Sequence, residues 1–430
     1  MNKQPYIIVC LIGLWLLPML TWAQKYPKLS ITDTKRVTKY YRQLRAEVQA
    51  EQSYLVQLPS PVTGLALRAI LNTDWKDTYL TIGQDTFRIQ GEEHETEGLA
   101  HNLSVLLVWD VPIQGFILHS GQMSGDMLIS LFNAQADKSS HPVLRQERSD
   151  KDQLSCQKPS FISQEEWRSG LPAPSYQRAI TQVNHVIIHH SATFNSLTDY
   201  ENVVRNMYLF HTQDRGWSDI GYNFLVAPDG TLFEGRSAGT QNVASDDIRG
   251  AHFCGRNSGT MGVCLLGNYN TATPTDAALA TIVQVTSWKL DKEGLNPLAT
   301  NNHPTNRNLG VVAGHRNGCA TECPGENLYA RLEDIRLNTE QQIAKGCQEE
   351  PQVFNLHPVP SDGLLTITLP EADSLLTLEI INLQGKTLSL PVESDNLGQF
   401  VIATQNLPAG SYIVRLTTLE GILTRKISVE

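Results

Sequence analysis

The chain has 430 residues, 41% of them hydrophobic and 18% charged, with a formal net charge of −10. That length exceeds one ordinary core and points to two or three domains. The acidic balance excludes a nucleic-acid binder, which needs a basic face, and no glycine-rich phosphate loop is present.

The chain opens on MNKQPYIIVCLIGLWLLPMLTWAQ. Lys3, an apolar run over 7–20 and the small residues Thr21 and Ala23 read as a secretory signal peptide over 1–23, cut between Ala23 and Gln24. An uncleaved anchor is the alternative, but the run is short for spanning a bilayer. No later segment is long and apolar enough to span one, so the mature chain is expected to have no integral membrane segment.

Residues 24–135 contain LSVLLVWDV, GFILHSG and DMLISLFNA, short apolar stretches bounded by turn residues. They predict a β-rich N-terminal domain of unknown role. A helix is expected before them, near VTKYYRQLRAEVQAE. Residues 136–160 turn polar and read as a linker.

Residues 161–347 alternate strand and helix patterns. HVIIHH is a strand. DYENVVRNMYLFH carries Tyr200, Val203, Val204, Met207, Tyr208 and His211 at helical spacing. GYNFLVAPDGTLFEG is two strands about a Pro-Asp-Gly turn, and TMGVCLLGNY is an apolar strand. A helix over DAALATIVQVTSWKL, a short strand GVVAGH and a last helix from about Glu326 through LYARLEDIRL follow. The order predicts an α/β domain with a central mixed sheet and helices packed on it. Residues 351–430 return to short alternating strands and read as a small β-sandwich.

Three residues carry the ligand chemistry. His189 closes VIIHH, His315 closes GVVAGH, and Cys323 lies eight residues later, before Pro324 and Gly325. Zinc takes nitrogen and sulfur ligands, and a catalytic site supplies three and leaves a fourth position open. Strand ends are where a rigid sheet presents functional side chains. Either histidine alone reads equally as a hydrogen-bonded strand-end residue, and Cys323 as half of a disulfide.

VIIHHSAT, GWSDIGYNFLVAPDGTLFEGR, GAHFCGRNSGTMGVCLLGNY and GHRNGCATECPG stand in this order over roughly 180–330. Together they resemble the zinc-dependent N-acetylmuramoyl-L-alanine amidase family, which includes the peptidoglycan recognition proteins and the bacteriophage lysozyme-type amidases. The resemblance implies Zn2+ held by His189, His315 and Cys323, and peptidoglycan as substrate. It implies a catalytic tyrosine at Tyr222 and a residue beside the reacting carbonyl at Thr321. It also implies that a member keeping the cysteine ligand hydrolyses the bond between N-acetylmuramic acid and L-alanine, whereas recognition-only members typically lack it. A peptidoglycan-binding protein with little turnover is the alternative. His190 points to the opposite strand face and reads as structural or supporting. His252 and Asn257 lie in a segment similar to the family's substrate-contacting loop. Arg236 and Asn223 are further candidates for the groove, with a surface ion pair and a structural strand role as their alternatives.

Removing the signal leaves Cys156, Cys254, Cys264, Cys319, Cys323 and Cys347. An exported chain can hold disulfides, though connectivity is not fixed by sequence. Cys264 reads as a buried thiol. Cys254 and Cys319 lie in the two loops nearest the expected metal site and are one candidate pair. Cys156 and Cys347 flank the domain and are another.

PVPSDG, INLQGK and LPAGSYIVRL before a terminal KISVE resemble the type A sorting domain of the type IX secretion system, over 351–430. That resemblance implies the type IX machinery as a partner, passage across the outer membrane, and a secreted or surface location.

Overall fold

The structure, a computed structural model, describes residues 25–69, 75–91, 102–135, 156–174, 178–237 and 245–346. Further along it describes 355–357, 363–368, 375–382, 387–388, 392–394, 399–405, 407–418 and 422–429. The expected signal peptide, most of the expected linker and Cys347 lie outside the described residues. The chain divides into two compact units, Met1–Cys347 and Gln348–Glu430. Among the described residues no helix is long and apolar enough to cross a membrane.

The first unit begins with strands β1 (Ile31–Val37), β2 (Tyr41–Val48), β3 (Ser53–Ala69), β4 (Tyr79–Ile82), β5 (Asp85–Arg88), β6 (Leu107–His119) and β7 (Gly125–Phe132). They form one antiparallel sheet in the order β1-β2-β7-β3-β6-β4-β5. The helix expected near VTKYYRQLRAEVQAE is instead β1 and β2. Leu44, Ala46 and Val48 are all buried and stand two apart, which is strand spacing, and β2 pairs with β7 along its whole length. Pairing across the sheet overrides the local helical pattern.

Five strands form the second sheet: β8 (His185–His190), β9 (Phe224–Val226), β10 (Leu232–Glu234), β11 (Thr260–Leu265) and β14 (Val312–Gly314). The order is β10-β9-β11-β8-β14, parallel throughout except for the antiparallel edge strand β10. The hairpin β12 (Thr300–His303) and β13 (Asn306–Gly310) stands before β14. The helices are α1 (Gln164–Trp167), α2 (Tyr200–Leu209), α3 (Asp276–Glu293), α4 (Glu326–Tyr329) and α5 (Leu332–Ala344). Where one last helix was expected there are two, α4 and α5.

Strand alternation decides which face each residue serves. On β8, Val186 and Ile188 join a core with Ile282 and Val285 of α3 and Leu332 and Ile335 of α5. On the opposite face, Leu225 and Cys264 join Val203, Val204 and Met207 of α2. That second core also contains Ala66, Val108 and Phe132, so the N-terminal sheet and the α/β fold share buried apolar residues.

Polar contacts fasten the same junction. Asp110 accepts hydrogen bonds from the Thr198 amide (2.8 Å), the Thr198 hydroxyl (2.9 Å) and the Asp199 amide (3.1 Å). Arg205 is fully buried and donates to Ala134 O at 2.7 Å and Ser169 O at 2.8 Å. These bonds offset part of the cost of burying a guanidinium. At Gly64 an added Cβ would stand 2.3 Å from Asn206 Oδ1, so the strand approaches α2 at a distance that only glycine allows.

The second unit has two antiparallel four-stranded sheets. Leu365, Ile367 and Ile402 from one meet Ile380, Val414, Leu416, Ile427 and Val429 from the other in a single core.

Candidate metal centre and substrate cleft

The parallel register of β8 and β14 pairs Val186 with Val312, Ile187 with Ala313 and Ile188 with Gly314. The next residue on each strand is a histidine, so His189 and His315 arrive side by side at the carboxyl ends of neighbouring parallel strands. Open α/β sheets bind their ligands at such ends. The two rings lie 4.6 Å apart between centroids.

Cys323 reaches the same point from the loop after β14. The Arg316 amide donates to Cys323 O at 2.9 Å and closes the loop, and the His190 amide donates to Cys323 Sγ at 3.4 Å. Sγ lies 3.6 Å from Nδ1 of His189. One ligand atom each from His189, His315 and Cys323 falls within 4.8 Å of the others, and all three residues are buried. Two imidazoles and one thiol, withdrawn from water and converging on one point, suit a borderline-soft divalent ion.

His189 turns Nδ1 toward Cys323 and Nε2 toward Nδ1 of His252, 3.0 Å away. A His189 that ligates through Nδ1 keeps its proton on Nε2 and donates to His252. His252 then carries its proton on Nε2, which lies 3.3 Å from Thr260 Oγ1, and Thr260 donates onward to Asn257 O at 2.9 Å. This tautomer assignment follows from the chain of partners. The His252 ring sits between two glycines. An added Cβ at Gly250 would stand 2.5 Å from it, and one at Gly262 would stand 2.6 Å from it.

A cleft opens beside the centre. Tyr222 and His252 line the side toward His189, and His211, Trp217, Met207 and Leu106 line the remainder. The Tyr222 ring stands 5.2 Å from that of His189. His211 stacks on Trp217 at 4.6 Å and accepts the Gly221 amide at Nδ1. The helical spacing puts His211 on a helix face, and the sequence gives Trp217 no part. Trp217 stands within the GWSDIGYNF block, which could have marked it. Leu106 carried no signal.

The other candidates separate. Thr321 is half-buried, and its Oγ1 accepts the Cys323 amide at 3.1 Å. Asn257 accepts the amides of His252 (2.7 Å) and Phe253 (2.9 Å), so its side chain shapes the loop that presents His252. Of the two further groove candidates, Asn223 has the structural strand role that was its alternative, and Arg236 is held by backbone carbonyls. Asn223 is fully buried, donates to Ile248 O at 2.7 Å and accepts the Gly262 amide at 2.9 Å. Arg236 is buried and donates to Ile220 O (3.0 Å) and Arg249 O (3.3 Å). Backbone groups occupy both side chains. His190 accepts the Tyr269 amide at Nδ1 and so serves the far side of β8.

Cys254 and Cys319 form a disulfide with a Cα–Cα distance of 6.1 Å, joining the His252 loop to the loop between His315 and Cys323. Cys156 is also disulfide-bonded. A third cluster, Asp246, Asp247 and Glu293, surrounds the buried Lys289 Nζ at 2.6 Å from each, and is an ion-pair network.

The chain is similar to known proteins over two segments. A family model described as N-acetylmuramoyl-L-alanine amidase matches residues 179–326, and one described as a secretion system C-terminal sorting domain matches 355–430. Peptidoglycan-recognition protein SC2 of Drosophila simulans is 33% identical over 175 residues, 40% of this chain and 84% of that protein. Human N-acetylmuramoyl-L-alanine amidase is 33% identical over 155 residues, 34% of this chain and 24% of that one. Among solved structures, Drosophila PGRP-LB wild-type is 29% identical, covers 40% of this chain and 92% of that chain, and has a TM-score of 0.33. By its likeness to the SC2 protein over most of that protein's length, the chain belongs to the N-acetylmuramoyl-L-alanine amidase family, with a secretion sorting domain at its C-terminal end.

Proposed function

We propose that the chain is an exported zinc amidase that hydrolyses the amide between N-acetylmuramic acid and L-alanine in peptidoglycan. The observation that carries this reading is the convergence of His189, His315 and Cys323 beside Tyr222. Catalytic zinc sites use three protein ligands of these types. When bound, the ion supplies Lewis acidity for a carbonyl oxygen and lowers the pKa of water.

The remaining work falls to the chain's own groups. His252 fixes the orientation of His189 through their hydrogen bond. Tyr222 presents a phenol to the cleft beside the ligands. Its role is to orient and stabilise by donating a hydrogen bond. Thr321, which accepts the Cys323 amide, can donate its hydroxyl proton to a developing oxyanion. The sorting domain implies export, with secretion or surface attachment. The apolar N-terminal segment and the type IX machinery complete that route, and a location beyond the outer membrane favours foreign peptidoglycan as substrate.

Retention of the cysteine ligand favours turnover over recognition alone. The test digests purified peptidoglycan with zinc-loaded and chelated protein and reads the products by mass spectrometry. Stem peptides released only by the loaded protein support the proposal. Binding without release would assign the chain to recognition, and release by Cys323→Ser at full rate would reject the centre.

A further inference from the structure

The part of the cleft formed by His211 and Trp217 is tied to the N-terminal sheet. Helix α2 continues into a π-helical turn over Phe210–Asp214. The Arg215 amide donates to Phe210 O at 3.0 Å, and the Trp217 amide donates to His211 O at 2.8 Å. The Arg215 guanidinium lies over the Trp217 ring, 4.4 Å from its centroid. Residues 210–217 are therefore one linked segment, and it presents His211 and Trp217 to the cleft. The segment also reaches toward Tyr222, because Nδ1 of His211 accepts the amide of the preceding Gly221 at 3.2 Å.

Asp214 joins this segment to the sheet. Its side chain is fully buried, and a carboxylate withdrawn from water is costly unless paired. Arg68 of β3 donates to Oδ2 at 3.1 Å, Tyr41 of β2 donates to Oδ1 at 3.2 Å, and the Ser130 hydroxyl of β7 donates to the same Oδ1. Burial, with Asp214 close by, pushes the Tyr41 phenol well above its ordinary range, so it stays a donor. Three strands of the N-terminal sheet thus converge on one carboxylate, three residues along from His211. Groups that hold a substrate stand only as firmly as the packing and hydrogen bonds behind them. The sheet supports the lining at a second place as well. Phe194 packs against Phe87 of β5 with ring centroids 5.0 Å apart, and its neighbour Thr193 lines the cleft.

We propose that Asp214 is a positioning residue of the amidase: it anchors residues 210–217 to the N-terminal sheet and so sets where His211 and Trp217 stand in the substrate cleft. This inference rests on the amidase reading of the site. It gives the N-terminal sheet a function, as the frame that holds one part of the cleft. Arg68, Tyr41 and Ser130 all stand outside the segment 179–326 that matches the amidase model. None of the three lines the cleft, so their influence on substrate runs through Asp214.

The test measures kcat and KM on a soluble muramoyl peptide for zinc-loaded wild type, Asp214→Asn, Arg68→Gln and Tyr41→Phe, with zinc stoichiometry alongside. KM does not depend on the fraction of protein that is folded, so lost stability alone leaves it unchanged. A wall that holds substrate equally in the ground and transition states moves KM and spares kcat. Asp214→Asn keeps the shape of the side chain and removes its charge. It is expected to raise KM about 10-fold, with kcat within about threefold of wild type and zinc stoichiometry unchanged. Arg68→Gln and Tyr41→Phe, which are milder changes, should raise KM in the same direction by less. A fourth variant, His211→Gln, completes a double-mutant cycle. In that background Asp214→Asn should raise KM by a smaller factor than in wild type, because part of what it positions is gone. With wild type active, KM unchanged in both Asp214→Asn and Arg68→Gln would overturn the inference and leave the amidase reading intact. Full additivity of Asp214→Asn and His211→Gln would do the same. Absence of turnover by zinc-loaded wild type would remove the amidase reading and this inference with it.

Discussion

Nε2 of His189 lies 3.0 Å from Nδ1 of His252, and the next partner of His252 is the Thr260 hydroxyl at 3.3 Å. The chain ends on a backbone carbonyl, Asn257 O. An acceptor that cannot give up a proton fixes the direction of every hydrogen bond before it. His189 is thereby left with its unprotonated nitrogen, Nδ1, facing Cys323.

Breaking this relay should weaken metal binding before it touches the ligands themselves. His252→Ala is expected to lower zinc affinity about 10- to 100-fold. Thr260→Val, which removes the hydroxyl and keeps the shape, should move affinity in the same direction by less. Competition against a chromophoric chelator measures both. Zinc affinity unchanged in His252→Ala would show that the hydrogen bond does not orient the ligand.

Removal of the Tyr222 hydroxyl should act on rate and leave the metal in place. Tyr222→Phe keeps the ring beside His189 and loses only the donor. One lost transition-state donor costs about 100- to 1,000-fold in kcat. Zinc stoichiometry should remain that of wild type, and KM should move much less than kcat.

Asn223 and Arg236 should report as structural residues. Asn223→Ala leaves Ile248 O and the Gly262 amide without their partner, and orphaned buried groups cost about 1–3 kcal/mol each. The melting temperature should drop by several degrees, while the KM of the remaining folded enzyme stays near wild type. A raised KM at unchanged stability would return Asn223 to the groove.

The cluster of His189, His315 and Cys323 was legible in the sequence, and much of what supports it was not. His189, His315 and Cys323 could be found because ligand types recur at strand ends with motif neighbours. The pair Gly250 and Gly262 was visible, but its purpose, making room for the His252 ring, required the packing. For Asn223 and Arg236 the sequence left two readings open, because a polar residue within a family block looks the same whether it faces substrate or backbone carbonyls. The strand β2 misled because Tyr41, Leu44 and Val48 also fit a helical spacing, and only pairing with β7 decides between the periods. Leu106 had no local signal at all, since its place in the cleft depends on two sheets meeting across α2.

Acid should destabilise the first unit through His185 and His303, whose rings are 5.6 Å apart. Burial lowers the pKa of both, and His303 is lowered further by the nearby His185. An unfolded histidine takes up its proton near about pH 6.5, while these two resist it, so the unfolded state binds more protons below that pH. Their contribution is therefore complete above about pH 6.5 and is lost as pH falls through the lower folded values. The urea midpoint should fall between pH 7.5 and pH 5.5, and His303→Asn should flatten that dependence. An equal slope in wild type and variant would assign the acid sensitivity elsewhere.

Reduction of the Cys254–Cys319 disulfide should disturb the metal centre directly. The Sγ atoms of both cysteines and a ring nitrogen of His315 lie within 4.8 Å of one another, and His315 also belongs to the group with His189 and Cys323. While the disulfide is intact, neither sulfur is a thiolate, and thiolate is the form that ligates. Once a thiol reductant cleaves it, two new thiols compete for an ion at the shared histidine. The joined loops also lose a cross-link that spans a sequence separation of 65 residues, of a kind that contributes about 2–5 kcal/mol. Activity should therefore fall severalfold in reductant without loss of bound metal. Cobalt-substituted protein should show stronger thiolate-to-metal charge-transfer absorption as the new sulfurs enter. The double variant Cys254→Ser, Cys319→Ser separates the two effects, since it lacks both the cross-link and the competing thiols. It should be less stable than wild type yet insensitive to reductant. If the double variant loses activity in reductant as wild type does, the competing thiols are not the cause.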